Sequence, residues 1–306
     1  MTESGWRAIP LCSLVLAVAL AAVSAGAAEP PRPRPAAEII KSAPPGDWER
    51  LDPGNLLVMT VKGQRVVILL APRFAPEHVA NIRALAREHY WDGLDVIRVQ
   101  DGYVTQWGDP DEDSAPKPLG KAKPHLPAEF AAPAQGLALT RLPDPDGWAP
   151  VTGFAGAMPV ALDPKQGNAW IPHCYGVVGA ARGNPPDSST GAGLYVVIGQ
   201  SPRNLDLNIT VVGRVVQGLE ALTALPRGTG ELGFYEKPDQ YVPIESVRLA
   251  ADLPESERPA LEALRTDSAS FKELIEAKRR PNSAWYAHSP GFTNVCNVAI
   301  PTRPAP

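Results

Sequence analysis

A single arginine, Arg98, lies in an otherwise apolar run, and its position raises a chemical question. The segment DVIRV (95–99) places it among valine and isoleucine, and Gln106 follows beyond a turn at Asp101-Gly102. Arginine keeps its proton in a dry site where lysine readily loses one, so it suits a pocket that needs permanent hydrogen-bond donors. The simpler interpretation is a structural ion pair with one of three nearby carboxylates, those of Asp95, Asp101 and Asp109.

Other kinds of chemistry find little support in the residue pattern. The five histidines show no metal-ligand spacing, and a zinc ion at His173 and Cys174 would lack two nearby ligands. The chain has no Gly-x-Ser-x-Gly elbow, so hydrolase chemistry is unsupported. The formal net charge is only −4, with no basic block, which gives nucleic-acid binding no electrostatic basis. We therefore expect no metal and no other cofactor.

The N-terminal stretch has the layout of a secretory signal. Arg7 precedes an apolar run over residues 11–23, and small residues follow it. We predict a signal peptide over residues 1–28, cleaved after Ala27 or Ala28, and export to a periplasmic compartment. The alternative is a membrane anchor, but the apolar run is shorter than the ~20 residues that a transmembrane helix needs. After cleavage no membrane span is expected.

Two cysteines remain after such a cleavage, Cys174 and Cys296, and they lie far apart in the sequence. In an oxidising compartment this pair invites a disulfide. Spacing alone does not test whether the two Cα atoms approach closely enough for a bond. Two free thiols are therefore the open alternative.

Strand patterns dominate the middle of the chain. Residues 55–71 contain two β-rich runs around Lys62-Gly63 and predict a hairpin. Apolar residues at helical spacing after Pro76 predict an amphipathic helix that ends between Tyr90 and Gly93. Further short strands are predicted in CYGVVGAARG, GLYVVIG, ITVVGRV and YVPIESVRLA, with a short helix in VQGLEALTAL. The pattern predicts a mainly β fold, a closed antiparallel β-barrel capped by two helices.

The other segments are predicted to surround this barrel domain, which we place at residues 53–250. Residues 29–52 read as an extended, proline-rich linker. Residues 111–173 lack periodicity and are predicted to form a long loop insertion. Residues 251–306 are predicted to form a C-terminal extension with one amphipathic helix and an irregular tail.

The order of these segments resembles that of the cyclophilin-type peptidyl-prolyl cis-trans isomerases, over about residues 55–249. APEHVANIRALAREHYWDG is similar to the first helix of the family, and IRVQDGYVTQWGDP is similar to its signature segment. GAGLYVVIG, LDLNITVVGRVVQG and PIESVRL are similar to its later strands. The resemblance implies a cyclophilin-like barrel, catalysis without a cofactor, and proline-containing polypeptides as substrates.

The resemblance also implies a role for individual residues. The catalytic arginine of the family falls on Arg98, and the glutamine that orients it falls on Gln106. The substrate-binding positions fall on Tyr103, Val104, Tyr195, Leu205, Ile209 and Gly193. The chain departs from the family where glutamine is replaced by Gly193, a frequent tryptophan by Asn204, and a histidine by Ile209. These departures leave the side-chain contacts to a substrate and the rate open.

Strand geometry sets a condition on this assignment. A two-residue hairpin at Asp101-Gly102 would place Arg98 opposite Thr105 and Gln106 on the other face of the sheet. For Gln106 to reach Arg98, the connection must be wider or contain a β-bulge, as the resemblance implies.

The residue types suit rotation about the peptide bond that precedes proline. Its barrier is about 18–20 kcal/mol, and lowering it requires only a site that favours the twisted amide. A guanidinium can donate to the nitrogen lone pair that twisting localises, and an apolar pocket strengthens that bond by excluding water. We predict a prolyl isomerase acting on exported proteins. The alternatives are a proline-binding module with little turnover, or an assembly factor that acts through the insertion and the C-terminal helix.

Overall fold

The computed structural model describes residues 1–2 and 32–306, and β-strands dominate it. Most of the predicted signal peptide, residues 1–28, lies outside the described residues. The helices are α1 (Ala36–Ser42), α2 (Pro76–Arg87), α3 (Leu219–Thr223) and α4 (Ala269–Arg279). The strands are β1 (Trp48–Arg50), β2 (Leu56–Val61), β3 (Gln64–Leu70), β4 (Asp95–Val99), β5 (Val104–Gly108), β6 (Ala132–Pro133), β7 (Thr140–Arg141), β8 (Val151–Ala155), β9 (Met158–Asp163), β10 (Asn168–Trp170), β11 (Val177–Ala180), β12 (Leu194–Val197), β13 (Val211–Gln217), β14 (Val242–Leu249), β15 (Leu261–Leu264) and β16 (Thr302–Pro304).

Eight strands close into a barrel in the order β11-β12-β5-β4-β14-β2-β3-β13, with antiparallel neighbours. The predicted fold class, a mainly β closed antiparallel barrel, is confirmed. Strand β2 shows why its sequence reads as a continuous apolar run. Leu57 and Met59 belong to one buried cluster inside the barrel, whereas Leu56 and Val58 belong to a second cluster outside it. Alternate side chains of a strand point to opposite faces, and here both faces are covered.

Helices α2 and α3 contribute to the inner cluster. In α2, Val79, Ile82 and Leu85 are fully buried at intervals of three residues, as the helical pattern predicts. The helix ends at Arg87, earlier than predicted, and His89 adopts a left-handed conformation shortly after it, with φ of 57°. No helix among residues 32–306 is both long enough and apolar enough to cross a bilayer.

The predicted linker at residues 29–52 is wrong from Arg34 onwards. Residues 36–42 form helix α1, and β1 pairs with β15. Ile39 is fully buried and Trp48 nearly so, and Arg34 forms an ion pair with Glu273 of α4 at 2.7 Å. The proline content suggested an extended chain, but these two apolar anchors fix the segment on the outer core.

The predicted loop insertion at residues 111–173 is also wrong, because it contains a second sheet. Five short strands pair in the order β6-β10-β9-β8-β7. Phe154 of β8 packs edge-to-face on Phe271 of α4, with 5.0 Å between ring centroids. The C-terminal extension contains the predicted helix, α4, together with β15 and β16, which form a three-stranded sheet with β1. Strands β6, β7 and β10 have only two or three residues, and β8 and β9 are buried on both faces over most of their length, so none of them shows an alternating pattern in the sequence.

Candidate active site

Strands β4 and β5 bring Arg98 and Gln106 together. A bulge between Val96 and Arg98 places Arg98 opposite Gln106. The connection between the strands spans residues 100–103 and is closed by the Gln100 amide, which donates to the first carbonyl of β5 at 2.9 Å. Arg98 Nη1 donates to Gln106 Oε1 at 3.2 Å. The bulge and the wider connection that this contact requires are therefore both present.

The segment 228–235 holds another side of the guanidinium. The amides of Gly228 and Tyr235 donate to carbonyls of β4 at 2.9 and 3.0 Å. Leu232 O accepts from Arg98 Nε at 2.7 Å. Leu232 has φ of 55°, a left-handed conformation that is uncommon for a non-glycine residue and that stores strain of about 1–3 kcal/mol. The strained backbone thus aims a carbonyl at Arg98.

The Arg98 guanidinium lies near two aromatic rings. Its Cζ is 5.6 Å from the ring centroid of Tyr103 and 5.1 Å from that of Phe234. Nη2 donates to the side-chain oxygen of Gln100. Its partners are two side-chain amides and one backbone carbonyl, and no carboxylate pairs with it within residues 32–306. The alternative of a structural ion pair is wrong.

A cavity of about 320 Å³ lies beside Arg98, and most of its wall is apolar. The cavity is lined by nearly all of the predicted site residues, namely Arg98, Tyr103, Val104, Gln106, Tyr195, Leu205 and Ile209. Four further residues complete the lining, namely Ala181, Arg182, Leu232 and Phe234. Long-range folding has therefore assembled side chains from β4, β5, β12 and the segments around residues 205 and 232.

Gly193 is the exception among the predicted substrate-binding residues, because it does not line the cavity. Its carbonyl accepts from Ala181 N at 2.9 Å, and its Cα would lie 3.2 Å from a Cβ added at Gly108. The position therefore serves close packing between neighbouring strands, and the lining at this point comes from Ala181. Gly193 lies next to a lining residue, and a direct substrate contact there stays a prediction.

Tyr195 on β12 forms a buried wall of the cavity. It lies opposite Gly179 of β11, and a Cβ at position 179 would lie 2.3 Å from the Tyr195 hydroxyl oxygen. Glycine at that position therefore makes room for the ring. Burial raises the pKa of the Tyr195 phenol, so the hydroxyl stays protonated.

Comparison with known proteins identifies this arrangement. Residues 56–249 match the family described as cyclophilin type peptidyl-prolyl cis-trans isomerase/CLD. The chain belongs to the cyclophilin family. This cyclophilin is 28% identical over 200 residues to a probable peptidyl-prolyl cis-trans isomerase of Brucella suis and to one of Brucella melitensis. Each match covers 62% of this chain and 82% of the relative.

A solved structure extends the comparison. The crystal structure of cyclophilin AquaCyp293 from Hirschia baltica matches with a TM-score of 0.67 at 25% sequence identity. The match covers 84% of this cyclophilin and 92% of that chain. It therefore extends beyond the family segment into the added structure. The predicted family, and with it the enzyme class, is confirmed.

Sequence reasoning missed part of the cavity of this cyclophilin. Leu232 and Phe234 lie in a stretch without periodicity, and only the Gly-rich turn around Gly233 marks the backbone there as unusual. Arg182 follows β11 and reaches the cavity from a loop that the sequence indicates only as a surface turn. No local pattern signals that these segments meet β4 and β5.

Electrostatically the site is cationic. Burial lowers the pKa of Arg98 from its ordinary value, but that value is so high that the guanidinium stays charged at neutral pH. Arg182 stacks near the ring of Phe130, with 5.7 Å between its Cζ and the ring centroid. Within residues 32–306 no group of three or more His, Cys, Asp or Glu side chains is arranged to hold a metal ion. The chemistry available at the cavity is hydrogen-bond donation from a fixed cation.

Proposed function

We propose that this cyclophilin catalyses the rotation of X-Pro bonds in exported proteins, with Arg98 as the catalytic residue. One observation supports this most directly. A guanidinium without a carboxylate partner lies at the edge of an aromatic and aliphatic cavity. Keeping a charge in a partly dry site lowers the stability of the fold, and a role in catalysis accounts for such a charge better than packing does.

The proposed chemistry is stabilisation of a half-rotated amide. Rotation weakens the conjugation of the proline nitrogen with the carbonyl, and the lone pair becomes a hydrogen-bond acceptor for Arg98. A thousandfold acceleration requires only about 4 kcal/mol. One charged donor in a water-poor site, held by Gln106, supplies a large part of that energy.

The apolar walls of the cavity would hold the pyrrolidine ring. Val104 and Tyr195 belong to one buried cluster, against which Tyr103 and Ile209 pack. This cluster is separate from the barrel interior, so it presents its free face to the cavity. Proline fits such a wall because its ring is apolar and already rigid, which reduces the entropy lost on binding.

Export is the second part of the proposal. The predicted signal peptide over residues 1–28 supports it, as does the pairing of Cys174 with Cys296. Disulfides persist mainly in oxidising compartments such as the periplasm. Sequencing the N-terminus of the protein recovered from a periplasmic fraction tests this part, with a first residue near Glu29 expected.

A protease-coupled assay on an X-Pro peptide tests the activity. The wild type should accelerate isomerisation, and Arg98→Ala should lower kcat/KM by about 100-fold or more, because it removes the donor that we propose for the proline nitrogen. Arg141→Ala is the control, an exposed arginine of β7 that does not line the cavity. Proline-peptide binding without turnover would favour the binding module instead, an outcome to which Asn204 and Ile209 point.

A further inference from the structure

Two titratable residues are buried behind the cavity and have no part in the proposed chemistry. His173 is fully buried, and its Nε2 lies 2.9 Å from the Tyr195 hydroxyl oxygen. Its Nδ1 lies 3.2 Å from Asp206 Oδ1, and its backbone N donates to the same oxygen at 2.9 Å. Tyr195, His173 and Asp206 therefore form a continuous line of hydrogen bonds that begins at the cavity wall.

The chemistry of the groups fixes the direction of these bonds. Burial alone raises the pKa of Asp206, but the hydrogen bond from His173 and the charge of Arg203 outweigh it and lower the pKa below its ordinary value. Asp206 is thus a carboxylate that accepts, and His173 Nδ1 carries the proton. In the neutral ring Nε2 is then an acceptor. The Tyr195 hydroxyl proton points to His173, away from the cavity.

The line continues into the inserted sheet. Arg203 Nε donates to Asp206 Oδ2 at 2.6 Å. The Nη atoms of Arg203 form a bidentate pair with Asp146 at 3.0 and 3.1 Å. Asp146 lies between β7 and β8, its side chain is 2% exposed, and it also accepts from the amides of Trp148 and Ala149. Every carboxylate oxygen in this line is occupied.

We propose that His173, Asp206, Arg203 and Asp146 form a relay that positions Tyr195 for catalysis, so that the inserted sheet is part of the catalytic apparatus. The inference rests on the proposed function, since Tyr195 matters for turnover only if the cavity holds the proline. Among residues 32–306, the Tyr195 hydroxyl has one hydrogen-bond partner, His173, and the two rings are stacked with 6.3 Å between their centroids.

The position of the ring explains why the hydrogen bond between Tyr195 and His173 matters. The hydroxyl end of the Tyr195 ring lies directly against Gly179, in the place that a Cβ there would take. A ring that loses its bond to His173 can tilt away from Gly179 towards the cavity, which changes the width of the cavity. Small displacements of a positioning residue cost rate, because the transition state must be held within a fraction of an ångström.

The insertion offers a matched pair of variants. Asp146 pairs in a bidentate manner with Arg203, and Asp144 pairs in the same way with Arg279 of α4 at 2.8 and 3.0 Å. Both lie in the same loop, but only Asp146 leads to Tyr195. We expect Asp146→Asn to lower kcat/KM by about fivefold and Asp144→Asn to leave it unchanged, although both lower the melting temperature. Equal effects of the two variants on kcat/KM would overturn the relay.

A double-mutant cycle separates positioning from general destabilisation. Tyr195→Phe keeps the ring and removes the hydroxyl that bonds to His173, so it should lower kcat/KM by a similar factor of about five. In the Tyr195→Phe background, Asp146→Asn should then have no further effect on kcat/KM. A purely structural role of Asp146 predicts the same loss in both backgrounds, and that result would contradict the proposal.

A spectroscopic measurement makes the test independent of turnover. With ¹⁵N-labelled histidine, His173 should show a protonated Nδ1 and an unprotonated Nε2, and Tyr195→Phe should shift the Nε2 resonance. A protonated Nε2 in the wild type would refute the relay. Loss of activity in Arg98→Ala together with no effect of Asp146→Asn would refute the relay and leave the proposed function intact. Full activity in Arg98→Ala would refute the proposed function, whatever the ¹⁵N spectrum shows.

Discussion

Arg98 and Gln106 lie directly opposite each other on β4 and β5, because a bulge leaves Ile97 without a partner on β5. The bulge turns both side chains to one face, where Arg98 Nη1 donates to Gln106 Oε1 at 3.2 Å. A regular pairing would have separated them. The bulge and the carbonyl of Leu232 together orient the Arg98 guanidinium.

The first prediction concerns this contact. Gln106→Leu keeps the approximate volume but removes the acceptor, so the guanidinium loses one of three restraints. We expect kcat/KM to fall by about tenfold, the equivalent of one hydrogen bond to a charged group. The coupled assay measures it, and Gln166→Leu in the turn between β9 and β10 is the control. A full rate in Gln106→Leu would show that Leu232 and Gln100 suffice to hold Arg98.

The second prediction concerns the charge of the substrate. Arg98 and Arg182 line the cavity, and no carboxylate lines it. A peptide with Glu beside the proline should therefore bind about fivefold more tightly than one with Gln, the effect of one exposed charge pair worth up to ~1 kcal/mol. Calorimetric titration measures the difference. This difference in affinity should disappear in Arg182→Gln and become smaller at about 1 M salt, where screening is strong. Equal affinities at low salt would contradict the prediction.

The third prediction concerns the disulfide. Cys174 and Cys296 are joined in the structure across a separation of 122 residues, and the bond ties the C-terminal tail to the residue after His173. Opening a loop of this length should lower the free energy of unfolding by about 2–5 kcal/mol. Urea unfolding of the variant carrying Cys174→Ser and Cys296→Ser, with and without a reductant, measures this. The wild type should lose the same stability on reduction, and the variant should not respond to the reductant.

The fourth prediction concerns acid stability. The pKa of Asp206 is lower in the folded protein than its ordinary value of 3.8, so unfolding takes up a proton at low pH. Its contribution is fully present above about pH 5 and is lost as the pH falls below about 4. The stability difference between the wild type and Asp206→Asn should therefore be constant near neutral pH and narrow below about pH 4. A difference that widened on acidification would show that Asp206 is not ionised in the folded state.

The sequence determined the barrel and the chemical nature of the site. The apolar runs of β2 and β3, the helical spacing in α2, and the segment from Arg98 to Gln106 all act over short distances, where local pattern and local structure coincide. These features were sufficient to predict the fold class. The resemblance to the cyclophilin family, which rests on motifs in the sequence, named seven of the cavity residues, namely Arg98, Tyr103, Val104, Gln106, Tyr195, Leu205 and Ile209.

Tertiary structure decided what depends on distant partners. The approach of Phe234 to Arg98 and the pairing of Cys174 with Cys296 arise from contacts between remote segments. The main strands of the second sheet, β8 and β9, are buried on both faces and show no alternation, and proline-rich composition concealed the buried anchor Ile39. A side chain such as His173 acquires its role only when folding places Tyr195 and Asp206 on either side of it, and no local pattern encodes that distance.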